Sequence, residues 1–118
     1  MKKDMVQNDI MKKAIEILKA QPSIPAVLFD TREGYECMCV GGAVLYAAYL
    51  WKGGSDNPKV FFERNKKSTE LNFVKCESKK LGLKSEAIWN IMEISKVLSE
   101  EKRMEMAEFN ISKNLEIS

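Results

Sequence analysis

Apolar and polar positions follow a helical period near the start of the chain. Apolar residues there recur every three or four positions, as they do on one face of a helix. Asn8 or Asp9 precedes them and is predicted to cap the helix, because a short polar side chain accepts hydrogen bonds from free amides. Pro22 is predicted to end it, since proline has no amide hydrogen. The apolar positions are Ile10, Met11, Ala14, Ile15 and Leu18.

The second half of the chain predicts three more helices. Ser68, Ser85 and Ser99 are the predicted N-caps, because each precedes a run with helical spacing. Gly82 is predicted to end the first of the three, since glycine adopts the left-handed conformation at little cost. The predicted inner faces are Leu71, Val74, Ser78 and Leu81, then Ile88, Ile91, Met92, Ser95 and Leu98, then Met104, Ala107, Ile111 and Leu115.

The middle of the chain holds the most apolar segment. Residues 43–51 are hydrophobic almost all round, which is typical of a central helix in a bundle. Residues 26–39 fit a short β-hairpin, and an irregular loop fits nearly as well. The sequence therefore predicts a mainly α fold, a single domain over residues 1–118. It is expected to be a compact bundle of about five helices around residues 43–51, with the hairpin as an addition.

The length of the chain, its first residues and its cysteines indicate the cellular compartment. The chain has 118 residues, the size of one domain. Its charged start predicts no signal peptide, and the longest nearly uncharged run, residues 37–51, is shorter than the roughly 20 residues of a membrane-spanning helix. Three cysteines cannot all pair within one chain, which favours free thiols in a reducing compartment. The prediction is a cytoplasmic protein that does not enter membranes.

The chain contains no histidine. It therefore lacks the side chain used most often as a general base near neutral pH, and every Ser–His or Cys–His pair. The carboxylates of the last helix have no visible partner for acid–base chemistry, and an exposed helix face explains them more simply. We therefore predict no enzyme activity, no catalytic residue and no cofactor. Those carboxylates are Glu100, Glu101, Glu105 and Glu108.

Two motifs beside the central helix contain residue types that can carry chemistry. Cys37 and Cys39, with Cys76, offer a soft-metal or redox site, but structural zinc takes four ligands and redox pairs take a C-x-x-C spacing. Residues 39–43 offer a phosphate site at a helix start, but the lysine and hydroxyl of a P-loop are missing. Core packing is the favoured interpretation of both motifs, and no metal site is predicted.

A basic segment gives the alternative function. Residues 59–84 hold eight basic and three acidic side chains. This excess favours contact with phosphates and so a nucleic-acid- or phosphate-binding protein, although a solvated helix face is the more common explanation. The candidate contacts are Arg64, Lys66, Lys67, Lys79, Lys80 and Lys84.

The leading hypothesis is a small non-enzymatic binding or accessory protein. It is expected to act through protein–protein contacts, with an unidentified protein partner or by self-association. Seven methionines suit adaptable contacts. The hypothesis predicts an exposed apolar patch on the last two helices that includes Trp89 or Phe109. A thiol-dependent activity at Cys37 and Cys39 is the third hypothesis.

Four short stretches give a resemblance. In chain order they are residues 14–18 (AIEIL), 39–45 (CVGGAVL), 81–83 (LGL) and 89–90 (WN). Their order resembles a group of small uncharacterised bacterial and phage-type helical domains with a Cys-x-x-Gly-Ala-Leu-like core helix. This chain has an extra glycine in that motif, and no acidic residue follows Asn90. The resemblance implies a helical fold and implies no activity, since the function of the group is unknown.

Overall fold

A computed structural model of the chain describes residues 2–20, 29–32, 35–63 and 69–117, with side chains for residues 5–20, 38–63 and 69–117. The described residues are mainly helical, as predicted. The elements are α1 (Lys2–Ala20), β1 (Phe29–Arg32), β2 (Tyr35–Met38), α2 (Val40–Trp51), α3 (Pro58–Glu63), α4 (Glu70–Leu81), α5 (Ser85–Lys96) and α6 (Glu100–Asn114). The described part thus has six helices rather than about five. The addition is the short α3, where Pro58 takes the first helical position and Asn57 Oδ1 accepts from the Val60 amide at 2.9 Å.

The segment before the central helix is a hairpin and not an irregular loop. β1 and β2 pair antiparallel, from Phe29 opposite Met38 to Arg32 opposite Tyr35. Met38 is buried and Cys39 follows it directly into α2. The hairpin therefore leads the chain into the core. The predicted stop at Pro22 lies outside the described residues.

The central position of α2 is confirmed. This helix packs against α1, α4, α5 and α6, and its residues from Val40 to Ala48 are buried. Cys39 is the N-cap, with extended backbone and a thiol that accepts from the Gly42 amide at 3.3 Å. The helix emerges at its other end, where Trp51 is exposed and Gly53 has a φ of 94° that an L side chain rarely adopts.

The long first helix closes the bundle against the last one. α1 packs on α2 and on α6. The Gln7 side chain donates to the main-chain oxygen of Leu115 at 2.7 Å. Beyond α6, Ile117 forms a β-bridge with Leu83, and the Lys84 amide donates to the Glu116 oxygen at 3.0 Å. Both ends of the described chain are thereby joined to the bundle.

Three predicted helix starts are wrong or displaced. Asn8 and Asp9 lie inside α1, because Val6 already packs against the core and extends the helical period upstream. The cap of α4 is Thr69, one residue after the predicted Ser68, which lies outside the described residues; the Thr69 hydroxyl accepts from the Asn72 amide at 3.2 Å. Ser85 is the first residue of α5 and not its cap. The cap at Ser99 is confirmed by a bond from the Lys102 amide at 3.3 Å, and so is the end at Gly82, which has a φ of 74°.

The predicted inner faces are confirmed for most of their residues. Leu71 is the exception, at 45% exposed. The buried face of α4 includes Phe73 and Glu77, which moves Leu71 to its edge. Leu98 and Met104 are half-buried. The buried residues of these faces are Val74, Ser78, Leu81, Ile88, Ile91, Met92, Ser95, Ala107, Ile111 and Leu115.

Candidate binding surface

A buried hydrogen bond between the two helices sets the register of α5 and α6. The Asn110 Nδ2 atom donates to the carbonyl oxygen of Ile91 at 3.1 Å. At the other end of the contact, the Arg103 Nη1 atom of α6 donates at 2.6 Å to the carbonyl oxygen of Leu98, which lies in the loop that joins the two helices. Because a short loop joins α5 to α6 and the two helices pack together, they are antiparallel, and Asn110 and Ile91 lie in the seam between them.

Apolar side chains flank this seam on its solvent side. Ile94 lies three residues after Ile91 and four before Leu98, and it is 43% exposed. Met106 has the same spacing from Arg103 and Asn110, and it is 38% exposed. Residues three or four apart are neighbours on a helix, so both side chains border the seam. The register places them at the same level, facing away from the core.

On each of the two helices, a stripe of exposed residues extends this surface away from the seam. Positions i, i+4, i+7 and i+11 share one side of a helix. Phe109, at 57% exposed, and Val97, at 76%, are the most exposed apolar side chains on these stripes. We call the whole surface the outer face. It consists of Glu86, Asn90, Glu93, Ile94 and Val97 of α5 with Lys102, Met106, Phe109 and Lys113 of α6.

The two side chains named for a partner surface have different environments. Phe109 lies on the outer face, and the Lys113 ammonium is 5.5 Å from its ring centroid, a cation–π distance. Trp89 is half-buried against the core, with its indole nitrogen enclosed. The outer face therefore contains Phe109 and not Trp89. Ile94 and Met106 were not among the predicted surface residues, although both fall outside the buried stripes of their helices.

The predicted basic contacts are described only in part. Arg64, Lys66 and Lys67 lie outside the described residues. Lys79, Lys80 and Lys84 are exposed around the turn from α4 to α5. Lys52, the residue after α2, lies beside them. The Lys52 ammonium lies 3.7 Å from the position that a β-carbon would take at Gly82. We call Lys52, Lys79, Lys80 and Lys84 the lysine corner.

Local partners already occupy much of the lysine corner. Lys80 Nζ is 3.7 Å from Oε1 of the buried Glu77, and Lys84 Nζ is 3.0 Å from Oε2 of Glu116. The corner also surrounds the C-terminal ends of α2 and α4, where cations offset the partial negative charge of the carbonyl groups. Lys80 and Lys84 thus have carboxylate partners, and Lys79 and Lys80 lie in the last turn of α4.

The aromatic side chains of the basic segment are committed to packing. The Phe61 ring is fully buried, 4.6 Å from Tyr49 and 5.7 Å from Phe73 between ring centroids. Phe62 is half-buried, 5.7 Å from Phe73. Bases stack on exposed rings in single-strand binding proteins, and these rings join α2, α3 and α4 instead.

The cysteines are separated by burial. Burial raises the pKa of the Cys39 thiol from 9.0 to about 11, and the bond from the Gly42 amide offsets only part of the rise. Cys76 is exposed on α4, and the Cys37 side chain lies outside the described residues. Within the described part of the chain, no three Cys, Asp or Glu side chains form a group that could hold a metal ion.

The N-terminus of α2 is a packing contact. A β-carbon at Gly41 would overlap Cγ of Met92 and lie 3.4 Å from the Ile88 carbonyl oxygen. The Gly42 amide is occupied by the Cys39 thiol. These contacts agree with close backbone packing rather than phosphate binding at residues 39–43. The carboxylates of α6 are exposed; Glu105 contacts Lys102 at 3.3 Å.

Comparisons with models of protein families, with curated proteins and with solved structures found no match. The resemblance to bacterial and phage-type helical domains therefore stays a prediction. Among the helices of the described residues, none combines the length and the apolar character that crossing a membrane requires.

Proposed function

We propose that this protein is a small non-enzymatic binding protein that contacts a protein partner through the outer face. The exposure of Phe109 beside Met106, Ile94 and Val97 is the observation that supports this function. Covering apolar surface removes it from water and favours association. Aromatic side chains are frequent at the energetic centre of interfaces, and methionine adapts to varied partners. The free thiols Cys39 and Cys76 support extending the proposal to the cytoplasm.

Site-specific photo-crosslinking in cells tests the proposal. A benzophenone side chain replaces Phe109 in one variant and Leu71, which is exposed to a similar degree on α4, in the control. We expect a discrete covalent adduct with a protein from position 109 that excess unmodified chain competes away. Adducts that are equally frequent from position 71, or none from position 109, contradict the proposal.

The lysine corner supports a second candidate, nucleic-acid or phosphate binding. The supporting observation is that Lys52 joins Lys79, Lys80 and Lys84, although it is far from them in sequence. Fluorescence anisotropy of labelled oligonucleotides at two salt concentrations is the test. Salt-sensitive binding that the variant Lys52→Glu/Lys79→Glu loses and the control Lys75→Glu keeps would favour this function. No binding at low salt contradicts it.

A further inference from the structure

We infer that the partner at the outer face is a second copy of this chain. Two copies are proposed to pair through their outer faces, related by a two-fold axis that runs along α5 and α6. This inference rests on the proposed function and names its partner. Two observations favour a second copy as the partner. They are the charges at the edges of the outer face and the register of α5 and α6.

The two edges of the outer face carry opposite charge. On the α5 edge the ionisable residues are Glu86 and Glu93, and on the α6 edge they are Lys102 and Lys113. Glu93 contacts Lys96 at 3.0 Å and Lys102 contacts Glu105 at 3.3 Å, so the difference in charge between the edges rests on Glu86 and Lys113. A two-fold axis along the helices places α5 of one copy over α6 of the other, so each acidic edge meets a basic edge. An axis across the helices would bring the acidic edges together. Like charges across an interface disfavour association, which selects the first arrangement.

Register aligns the charges as well as the edges. An axis parallel to the helices leaves every residue at its own level along them. The bond between Asn110 and Ile91 places Lys113 between the levels of Glu86 and Glu93, so Lys113 of one copy faces these carboxylates of the other. Within the described part of the chain, neither Glu86 nor Lys113 forms an ion pair. Pairing thus supplies each of them with an oppositely charged partner, in addition to the Phe109 ring that the Lys113 ammonium already faces in one copy.

The apolar centre aligns in the same arrangement. Ile94 is level with Met106 across the seam, and Val97 lies within one helical turn of that level. Both would therefore cover Met106 and approach Phe109 of the second copy. All four side chains are exposed in the single chain. An interface with an apolar centre and a charged rim follows, as is usual for protein contacts.

Charge-reversal variants test the inference by sedimentation velocity of the purified full chain. Glu86→Lys alone and Lys113→Glu alone are each expected to weaken dimerisation by roughly tenfold, because two symmetric contacts become repulsive. An equimolar mixture of the two variants is expected to recover the dimer as a heterodimer, in which both contacts are attractive again. An effect within a single chain cannot give this recovery.

Controls separate the pairing from general effects. Lys75→Glu reverses an exposed charge on α4 and is expected to leave the dimer unchanged. Glu86→Gln and Lys113→Gln remove the charge without reversing it and are expected to weaken the dimer by only about threefold. A chain that stays monomeric at every concentration overturns the inference, and so does a mixture that fails to recover. In that case a photo-adduct from position 109 to a different protein leaves the proposed function standing, whereas its absence contradicts both.

Discussion

The side-chain amide of Asn110 donates to the main-chain oxygen of Ile91 at 3.1 Å, inside the seam between α5 and α6. The Oδ1 atom of Asn110 accepts from the side-chain Nδ2 atom of Asn114 at 3.0 Å. Asn110 is buried, so both halves of its amide are satisfied without water. One polar side chain thereby fixes the register between α5 and α6, the two helices that form the outer face.

Asn110→Asp is expected to lower the free energy of unfolding by about 3 kcal/mol, because a buried carboxylate cannot donate and faces the Ile91 oxygen. Asn90→Asp, at an exposed position on α5, is the matched control and should change it by less than about 0.5 kcal/mol. Urea denaturation at neutral pH measures both. Similar effects from the two variants would show that the seam bond contributes little.

Gly41→Ala is expected to lower the free energy of unfolding by about 1 to 3 kcal/mol, because the added β-carbon overlaps Met92. Met92 is buried, so its side chain cannot move into solvent. In a double-mutant cycle with Met92→Ala, the smaller side chain leaves room for the methyl group. We expect a favourable coupling of at least about 1 kcal/mol. Additive costs would mean that Gly41 is needed for a reason other than this contact.

The raised pKa of Cys39 predicts a loss of stability at high pH. The unfolded thiol ionises near its ordinary pKa of 9.0, whereas the folded thiol ionises at about 11. The unfolded state therefore releases its proton first, and the stability present below pH 9 falls as the pH rises towards 11. The loss from this group should be about 1 kcal/mol at roughly pH 10.

Cys39→Ser isolates that contribution, since a serine hydroxyl can cap α2 and does not titrate in this range. Urea denaturation of both proteins at about pH 8 and about pH 10 gives the difference, because every other titrating group is shared. The unsubstituted chain should lose more stability than the variant. Equal losses would place the raised pKa in doubt.

Cys76 and Cys39 are expected to react with a thiol reagent at different rates. In a Cys37→Ser background, Cys76 should react at the rate of an exposed thiol, because its side chain is open to solvent on α4. Cys39 should react only when the core opens, since it is buried and its thiolate is disfavoured. Mass spectrometry after increasing labelling times measures both. Simultaneous labelling in the native state contradicts the burial of Cys39.

Local chemistry made part of the fold predictable. The central helix follows from an apolar run that only a core can hold, and the Ser99 cap follows from a hydroxyl before the first turn. Ser85 was wrong as a cap because the start of α5 is held by the bridge of Leu83 to Ile117, a contact between residues distant in sequence. Tertiary pairing of this kind leaves no local pattern.

The candidate surface was predictable to a smaller extent. Phe109 could be named from its place on the last helix. Its grouping with Ile94 and Met106 depends on the register that Asn110 imposes, which spacing within one helix does not contain. Lys52 was missed for the same reason, since it reaches Gly82 from another helix. Sequence periodicity shows which side of a helix is polar, and the packing decides which polar sides meet.

The bond from Gln7 to the oxygen of Leu115 joins the first helix to the residue after the last one. The ribosome makes α1 well before α6, so during synthesis the apolar side of α1 has no α6 to pack against. The bundle can close only once α6 has been made, so α1 waits for its partner while all the helices between them are synthesised. Until that moment, the nascent chain exposes apolar surface of the kind that chaperones bind.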